Sequence, residues 1–302
     1  MPYLPNTIII ICGPTAVGKT NLAIQLAQHF NTEIISADSR QCFRELNIGV
    51  AKPSAEELAT VPHHFINSHS IHEEVNAAVF ETYALKAAAE IFASKTVAIM
   101  VGGTGLYIKA FTEGLDAVPN VDQQVRTEIL EQYNAQGLPF LQQEILQHDP
   151  AFWAVAEQQN PQRLMRALEV LRSTGRSITT FKTGSKQHRN FNIIKVGLSL
   201  PRPLLNTRIN DRIDAMMHAG LLKEVEDLLP YQNLNALQTV GYREFFPVLT
   251  GSNSLETAIE ELKKNTRHYA KRQMTWFKKD PNINWFDAQE DDLVKRIVRL
   301  VC

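Results

Sequence analysis

The sequence is short of the features that assign a protein quickly, and each shortage excludes something. Its 302 residues include only three cysteines, Cys12, Cys42 and Cys302, far apart along the chain. That spacing excludes a disulfide framework, a CxxC redox pair and a cysteine-based zinc site, and it suits a reducing cytosol. No apolar run approaches the roughly 20 residues needed to cross a bilayer; the Ile8–Cys12 run is far too short. The chain opens MPYLPNT with no basic segment, so no secretory leader is expected, and a cytoplasmic protein without membrane contact is the expectation. Neither acid nor base dominates: the net charge is −1, which says nothing of partners until its distribution is read. There is no internal repeat and no low-complexity segment. Nothing marks a subunit interface, so a monomer is the default.

With 44 % hydrophobic and 21 % charged residues, the chain can bury a sizeable core. TIIIICG reads as a strand buried on both faces of a parallel sheet, followed by a helix from Lys19 to His29. TEIISADS reads as a second strand ending at Asp38, ETYALKAAAEIFAS as a helix, and TVAIMVGGTG as a third strand running into a glycine loop. Strands alternating with helices predict an α/β parallel sheet with ligands at the strands' carboxyl ends. From Asp122 to about Arg176 the pattern is helical only. Asn160-Pro161 marks one helix start, and Gly175 marks its end. NIIKVGLSL then returns to strand, and two helical stretches follow. The expected organisation is a first core segment over residues 1–116, a helical insertion over 117–190, and core completion with basic C-terminal helices over 191–302.

Gly13-Pro14-Thr15-Ala16-Val17-Gly18-Lys19-Thr20 fits the phosphate-binding pattern G-x-x-x-x-G-K-[ST], and it lies between a strand and a helix as that motif requires. Its glycines let backbone N–H groups wrap an anion at a helix N-terminus, Lys19 can sit on phosphate oxygens, and Thr20 can join a magnesium shell. The loop predicts a diphosphate or triphosphate ligand without saying which molecule carries it. A phosphoryl-transfer enzyme of this type would carry a magnesium-binding aspartate at the end of a later strand; here that strand ends in glycines. The acid stands instead at Asp38, which is either a turn aspartate or a proton acceptor facing the phosphate site. Thr104, in GGTGLY, is available beside the same ligand.

Positive charge gathers in two places. One is the helical stretch carrying Lys263, Lys264, Arg267, Lys271, Arg272, Lys278 and Lys279; Lys264, Arg267 and Lys271 share a face at i, i+3, i+7. The other is the insertion, with Arg163, Arg166, Arg172, Arg176, Lys182, Lys186 and Arg189 against one acid, Glu169. Each could be solvated surface. Together, with Tyr269, Trp276, Phe277, Gln162 and Gln238 nearby, they read as a candidate polyanion surface offering stacking and hydrogen-bonding groups.

In this order GPTAVGKT, SADSRQCF, IGVAKP, VPHHFI, VGGTGLYIKA, QRLMRALEV, LQTVGYRE and TRHYAKRQMTWF resemble the tRNA dimethylallyltransferase (tRNA isopentenyltransferase) family over nearly the whole length. The resemblance implies a core like that of P-loop nucleoside-triphosphate hydrolases with a parallel sheet, plus an all-helical insertion. It implies transfer of a dimethylallyl group from dimethylallyl diphosphate to the exocyclic amine of adenosine 37 in the tRNA anticodon stem-loop. The loop residues Gly13, Thr15, Ala16, Val17, Gly18, Lys19 and Thr20 would then hold a leaving group, with Mg2+ at Thr20. Arg208 and Arg212 are candidate diphosphate ligands, surface salt bridges being the alternative. The match puts Asp38 and Thr104 beside the adenine, Asp38 as proton acceptor. It also implies tRNA contacts for Asp38, Ser39, Arg40, Gln41 and Thr104, for Arg126, Gln162, Arg163, Leu164, Met165 and Arg166, and for Gln238, Gly241, Tyr242 and Arg243. Lys271, Arg272, Gln273, Trp276 and Lys278 complete the set. The adenine would have to leave its stack to react.

Departures from the family pattern are small: Val17 for a serine, Val50 for a threonine, and Cys42-Phe43 for a Val-Tyr pair. None removes a proposed catalytic group. Three other readings stay open on the residues alone: a kinase, an enzyme prenylating free adenine nucleotides, and a non-catalytic RNA-binding switch. His63, His64, His69 and His72 lack a regular ligand spacing, which favours structural or surface roles over zinc.

Overall fold

The run Ile8–Ile11 is wholly buried because β1 (Thr7–Cys12) lies inside the sheet, paired on both edges. The computed structural model describes residues 6–301; residues 1–5, where a leader was looked for, and Cys302 lie outside it. After β1 come α1 (Lys19–His29), β2 (Ile34–Ser36), α2 (Ala55–Thr60), β3 (His63–His64), α3 (Ala77–Phe92), β4 (Val97–Gly102) and α4 (Gly105–Glu113). An all-helical segment follows, with α5 (Gln123–Gln136), α6 (Leu138–His148), α7 (Pro150–Trp153) and α8 (Pro161–Thr174). The chain then returns through β5 (Asn192–Ser199), α9 (Arg202–His218), α10 (Leu221–Asp227), α11 (Phe246–Leu249), α12 (Leu255–Phe277), β6 (Ile283–Asp287) and α13 (Leu293–Val298).

The six strands form one sheet in the order β3-β2-β4-β1-β5-β6, every pairing parallel. The fold is therefore α/β with a doubly covered parallel sheet, and its strand ends on one side are the place for ligands. Two strands escape the sequence reading. β3 is only two residues long, and β6 is a short edge strand without sustained alternation. The second strand stops at Ser36, two residues before Asp38, which stands in the turn beyond it.

The residues divide into two compact units, 114–187 and the segments on either side of it. The junctions fall at 114 and 187, against 117 and 190 in the sequence reading. The smaller unit has its own core of Ile129, Leu141, Ile145, Phe152, Leu164, Ala167, Leu168, Val170 and Ile178. In it α8 starts as its sequence predicts: the Asn160 side chain accepts the Arg163 N–H, Pro161 occupies the first turn, and Gly175 ends the helix at φ 69°.

At the strand ends, backbone packs against backbone. A Cβ on Gly102 would lie 2.1 Å from the Ala37 carbonyl oxygen, so only glycine lets β4 close on the chain that leads to Asp38. Gly102→Ala is expected to cost roughly 3 kcal/mol of stability in urea unfolding, as overpacking against rigid backbone does. Gly251→Ala, where nothing lies within 4 Å, should cost only about 1 kcal/mol from its positive φ.

Candidate active site

The phosphate loop needs unusual backbone at Gly13 (φ 143°), Ala16 (φ 64°) and Gly18 (φ 109°). A side chain on Gly13 would meet the Leu198 carbonyl at 2.6 Å. The first turn of α1 carries no acidic residue, so its free N–H groups and positive dipole end are left for an anion. Lys19 Nζ donates to the Pro14 carbonyl at 2.7 Å, which folds the ammonium over the loop. Burial, and then the like charge of Arg212, lower its pKa to about 8, while Asp38 pulls the other way. From α9, Arg208 donates to the Val17 carbonyl at 3.4 Å and Arg212 lies 3.5 Å from Thr15 Oγ1. These two arginines, one turn apart, both reach the loop. Thr20 sits half-buried in the first turn of α1.

Beyond β2, Asp38 Oδ1 accepts the N–H groups of Arg40 (2.9 Å) and Gln41 (3.2 Å). This is an Asx-type turn that fixes the carboxylate by its own backbone and engages only one of its oxygens. Thr104, at the end of β4, donates its N–H to the Ala37 carbonyl, and its hydroxyl accepts the Ser39 N–H at 3.1 Å. The Tyr269 hydroxyl is in hydrogen-bond contact with Thr104; burial, and then Asp38, hold the phenol well above its usual pKa, so it stays protonated. Burial and Asp38 likewise push the nearby Cys42 thiol up to about 12, which keeps it a poor nucleophile.

Thr15, Asp38, Ser39, Arg40, Arg212 and Tyr269 line one cavity together with the apolar Val50, Ala51, Ile209, Ile213, Met216, Val240 and Leu262 and the hydroxyls of Thr239 and Thr266. The site thus joins an anion loop, a carboxylate and a greasy wall in a single space.

A family model described as IPP transferase matches residues 41–280. The chain is 48 % identical to a tRNA dimethylallyltransferase of Christiangramia forsetii over 288 residues, 95 % of each chain. Its structure is similar to the full-length tRNA isopentenylpyrophosphate transferase of Bacillus halodurans (TM-score 0.71, 36 % identity, 98 % of this chain and 94 % of that one). It is also similar to a eukaryotic dimethylallyltransferase captured acting on tRNA (TM-score 0.79, 28 % identity, 97 % and 78 %). The chain belongs to the IPP transferase family.

In this IPP transferase, the residues the motifs suggested for tRNA contact divide by exposure. Lys271, Arg272, Lys278 and Trp276 are exposed on or just beyond α12, and Gln162, Arg163, Arg126, Gln238 and Arg243 are exposed elsewhere. Leu164 and Tyr242 are fully buried packing groups rather than exposed contacts, and Gly241, also buried, lines the cavity. Met165 is half-buried against the core of the helical unit. Gln273 is only 6 % exposed and bridges two loops: Oε1 accepts the Thr15 N–H at 2.8 Å and Nε2 donates to the Gly103 carbonyl at 3.0 Å. Gln41 is spent on the Val50 and Ala51 carbonyls.

The insertion is less bare of acids than its sequence suggests. Arg126 and Arg166 both lie against Glu169, Arg163 against Glu157 and Arg172 against Glu144. The exposed Arg163–Glu157 pair holds about 0–1 kcal/mol, so a phosphate can displace it. On α12, Lys263 is committed to Asp214 and Glu260, and Arg267 to Asn210. A ring nitrogen of His63, His64 and His69 bonds to the Val61 carbonyl, Glu33 and Ser68 respectively, and His72 packs on Tyr231; among the described residues no group of three or more His, Cys, Asp or Glu could hold a metal.

Thr266 escapes the sequence reading, and Tyr269 enters it only as a group of the polyanion surface, whereas both line the cavity. The signal was present: Leu262, Thr266, Tyr269 and Gln273 repeat at i, i+4, i+7, i+11, one face of α12 opposite its basic stripe.

The lowered Lys19 pKa gives a pH signature. Below about pH 8 the free ammonium is already charged; above it the free protein loses the proton, and an anion in the loop draws it back. Inorganic diphosphate affinity should therefore fall with rising pH, by up to about tenfold per unit above pH 8, through a component that Lys19→Met abolishes. Calorimetry in two buffers of different ionisation enthalpy should read a greater proton uptake at pH 8.5 in the unmutated protein than in Lys19→Met, where the ligand's own ionisation is all that remains.

Proposed function

We infer that this chain transfers a dimethylallyl group from dimethylallyl diphosphate to the 6-amino group of adenosine 37 in tRNA and releases diphosphate, as a tRNA dimethylallyltransferase. The observation that carries the reading is that the phosphate loop and Asp38 open onto the same cavity, much of whose remaining wall is apolar. A kinase has no use for that wall. In addition, β4 ends at Gly102 with no carboxylate to hold a metal against a transferring phosphoryl group.

The diphosphate occupies the loop, with Lys19, Arg208, Arg212 and the loop amides on its oxygens, and the five-carbon tail lies along Ile209, Ile213, Met216, Val240 and Leu262. As the allylic C–O bond breaks, negative charge gathers on the leaving diphosphate, where these fixed donors stabilise it. The adenine amine forms the new C–N bond. Its lone pair is delocalised into the ring, so proton removal matters: the N6 proton passes to Asp38. Thr104 and Tyr269 offer hydroxyls to orient the base. No covalent enzyme intermediate is required, consistent with the inert Cys42.

Magnesium fits the donor set only together with substrate. It takes one or two protein oxygens and fills its shell from phosphates and water, and the Thr20 hydroxyl is the group that would hold it, neutralising charge on the diphosphate. The exposed Lys271, Arg272 and Lys278, with Arg163 and Arg166 of the helical unit, are groups for tRNA phosphates. Among the described residues no helix is long and apolar enough to cross a membrane; a cytoplasmic monomer completes the proposal.

The test offers labelled dimethylallyl diphosphate and magnesium to unmodified tRNA, with AMP as an alternative acceptor and ATP as an alternative donor in parallel. Label should enter tRNA alone. Label in AMP would make the enzyme a nucleotide prenyltransferase, and ATP turnover without prenyl transfer would make it a kinase. Asp38→Ala should lower transfer by about 10²–10⁴-fold while tRNA binding persists; transfer near the unmutated rate would remove Asp38 from the role of base.

A further inference from the structure

The apolar side of the cavity is partly built from two loops. Gly49, Val50 and Ala51 come from the segment between β2 and α2, and Thr239, Val240 and Gly241 from the turns before α11. The loops meet backbone to backbone: a Cβ on Gly241 would stand 2.6 Å from the Gly49 carbonyl oxygen, and one on Gly49 would stand 2.6 Å from the Tyr242 ring. The Tyr242 ring packed on Gly49 is the side chain that interlocks the two loops.

A carboxylate that does not line the cavity fastens them. Glu224, on α10, accepts on Oε1 the N–H groups of Asn47 (3.3 Å) and Gly49 (3.0 Å) and the Tyr242 hydroxyl (2.6 Å). Its Oε2 accepts the Ile48 N–H at 2.8 Å. Four donors thus converge on one side chain, which matches the acceptor capacity of an ionised carboxylate and exceeds that of an amide. Bonds to a charged acceptor are also about twice as strong as neutral ones. Three of the donors belong to one cavity loop and the fourth to the residue that follows the other, so Glu224 ties the two together. Gln41 holds the Val50 and Ala51 carbonyls from behind, and the buried Glu244 accepts the Gly241 N–H (3.0 Å) and the Asn265 amide of α12 (2.8 Å). The cavity wall is therefore braced on both sides by groups that do not touch its contents.

We propose that Glu224 is a positioning residue that sets the width of the apolar wall and thereby the length of prenyl chain the enzyme accepts. The proposal rests on the reading of this cavity as the site of the donor's tail. Glu224→Gln keeps the shape of the side chain but turns one acceptor oxygen into an NH2 group, which faces at least one backbone N–H donor to donor whichever way the amide turns. The loops can relieve that clash only by parting.

The test is steady-state kinetics of the full chain on unmodified tRNA with dimethylallyl and geranyl diphosphate as donors. In Glu224→Gln, KM for dimethylallyl diphosphate should rise about tenfold with kcat held within about threefold, the pattern of lost ground-state fit. The ratio of kcat/KM for the five-carbon over the ten-carbon donor should fall by about tenfold. Tyr242→Phe removes one donor without creating a clash and should move the same ratio in the same direction by about threefold; it decides the matter if Glu224→Gln does not fold. Glu226→Gln, on the exposed side of α10 and paired with Lys223, should leave the ratio unchanged. An unmoved ratio in the folded variants, or losses of equal proportion for both donors, would overturn the proposal and leave Glu224 a general stabiliser. Failure of the unmutated chain to prenylate tRNA at all would instead reject the functional reading on which the proposal stands.

Discussion

Gln273 presents one planar amide to two loops at once, accepting from Thr15 of the phosphate loop and donating to Gly103 at the end of β4. A Cβ at Gly103 would lie 2.1 Å from its Nε2, so the glycine is a condition of the approach. Similarly, Gly105 makes room for the indole of Trp276. Through these contacts α12 is seated against the strand ends at a fixed height and rotation. Tyr269, one turn earlier on the same face, is thereby delivered to Thr104 and Asp38. The amide is buried with both ends satisfied; breaking either bond would strand a buried partner at a cost of about 1–3 kcal/mol. Gly103 and Gly105 of the GGTG segment therefore serve α12, and the ligand benefits at second hand.

What the sequence disclosed follows from how local each signal is. The strand–loop–helix of Ile8 to His29 was legible because periodicity, turn glycines and the lysine all lie within one short window. α8 was legible from its own cap residues. β3 and β6 were not: edge strands this short are held by their neighbour's hydrogen bonds and leave little pattern of their own. The same limit separates exposure from motif. QRLMR and TVGYR name residues in a line, but only the fold buries Leu164 and Tyr242 and leaves Arg163 and Arg243 outside. Ion pairing is also non-local, since Glu144 and Glu157 lie outside the arginine-rich stretch they neutralise.

The near-zero net charge acquires a physical meaning once α12 is seen from its end. Lys264 and Lys271 lie on the side away from Leu262, Tyr269 and Gln273, so one helix carries a solvated basic face and a site-forming face back to back. A uniformly basic protein would bind polyanions anywhere on its surface, whereas concentrating charge on stripes gives orientation as well as attraction. The exposed Arg163–Glu157 pair of the helical unit works to the same end, because it keeps an arginine side chain extended yet cheap to release.

The order of strands in the sheet has a consequence for how the chain is made. β1 pairs with β4 on one edge and with β5 on the other, Thr7 opposite both Val97 and Asn192. Between the emergence of β4 and of β5 a ribosome must add the whole helical segment, on the order of ten seconds at ordinary synthesis rates. Throughout that interval the isoleucine-rich β1 has an unpaired edge, the kind of strand that recruits other chains. The intervening helices make mostly local contacts and can pack while they wait. The element that separates the two halves of the sheet in sequence thus also sets how long the nascent protein is exposed to aggregation.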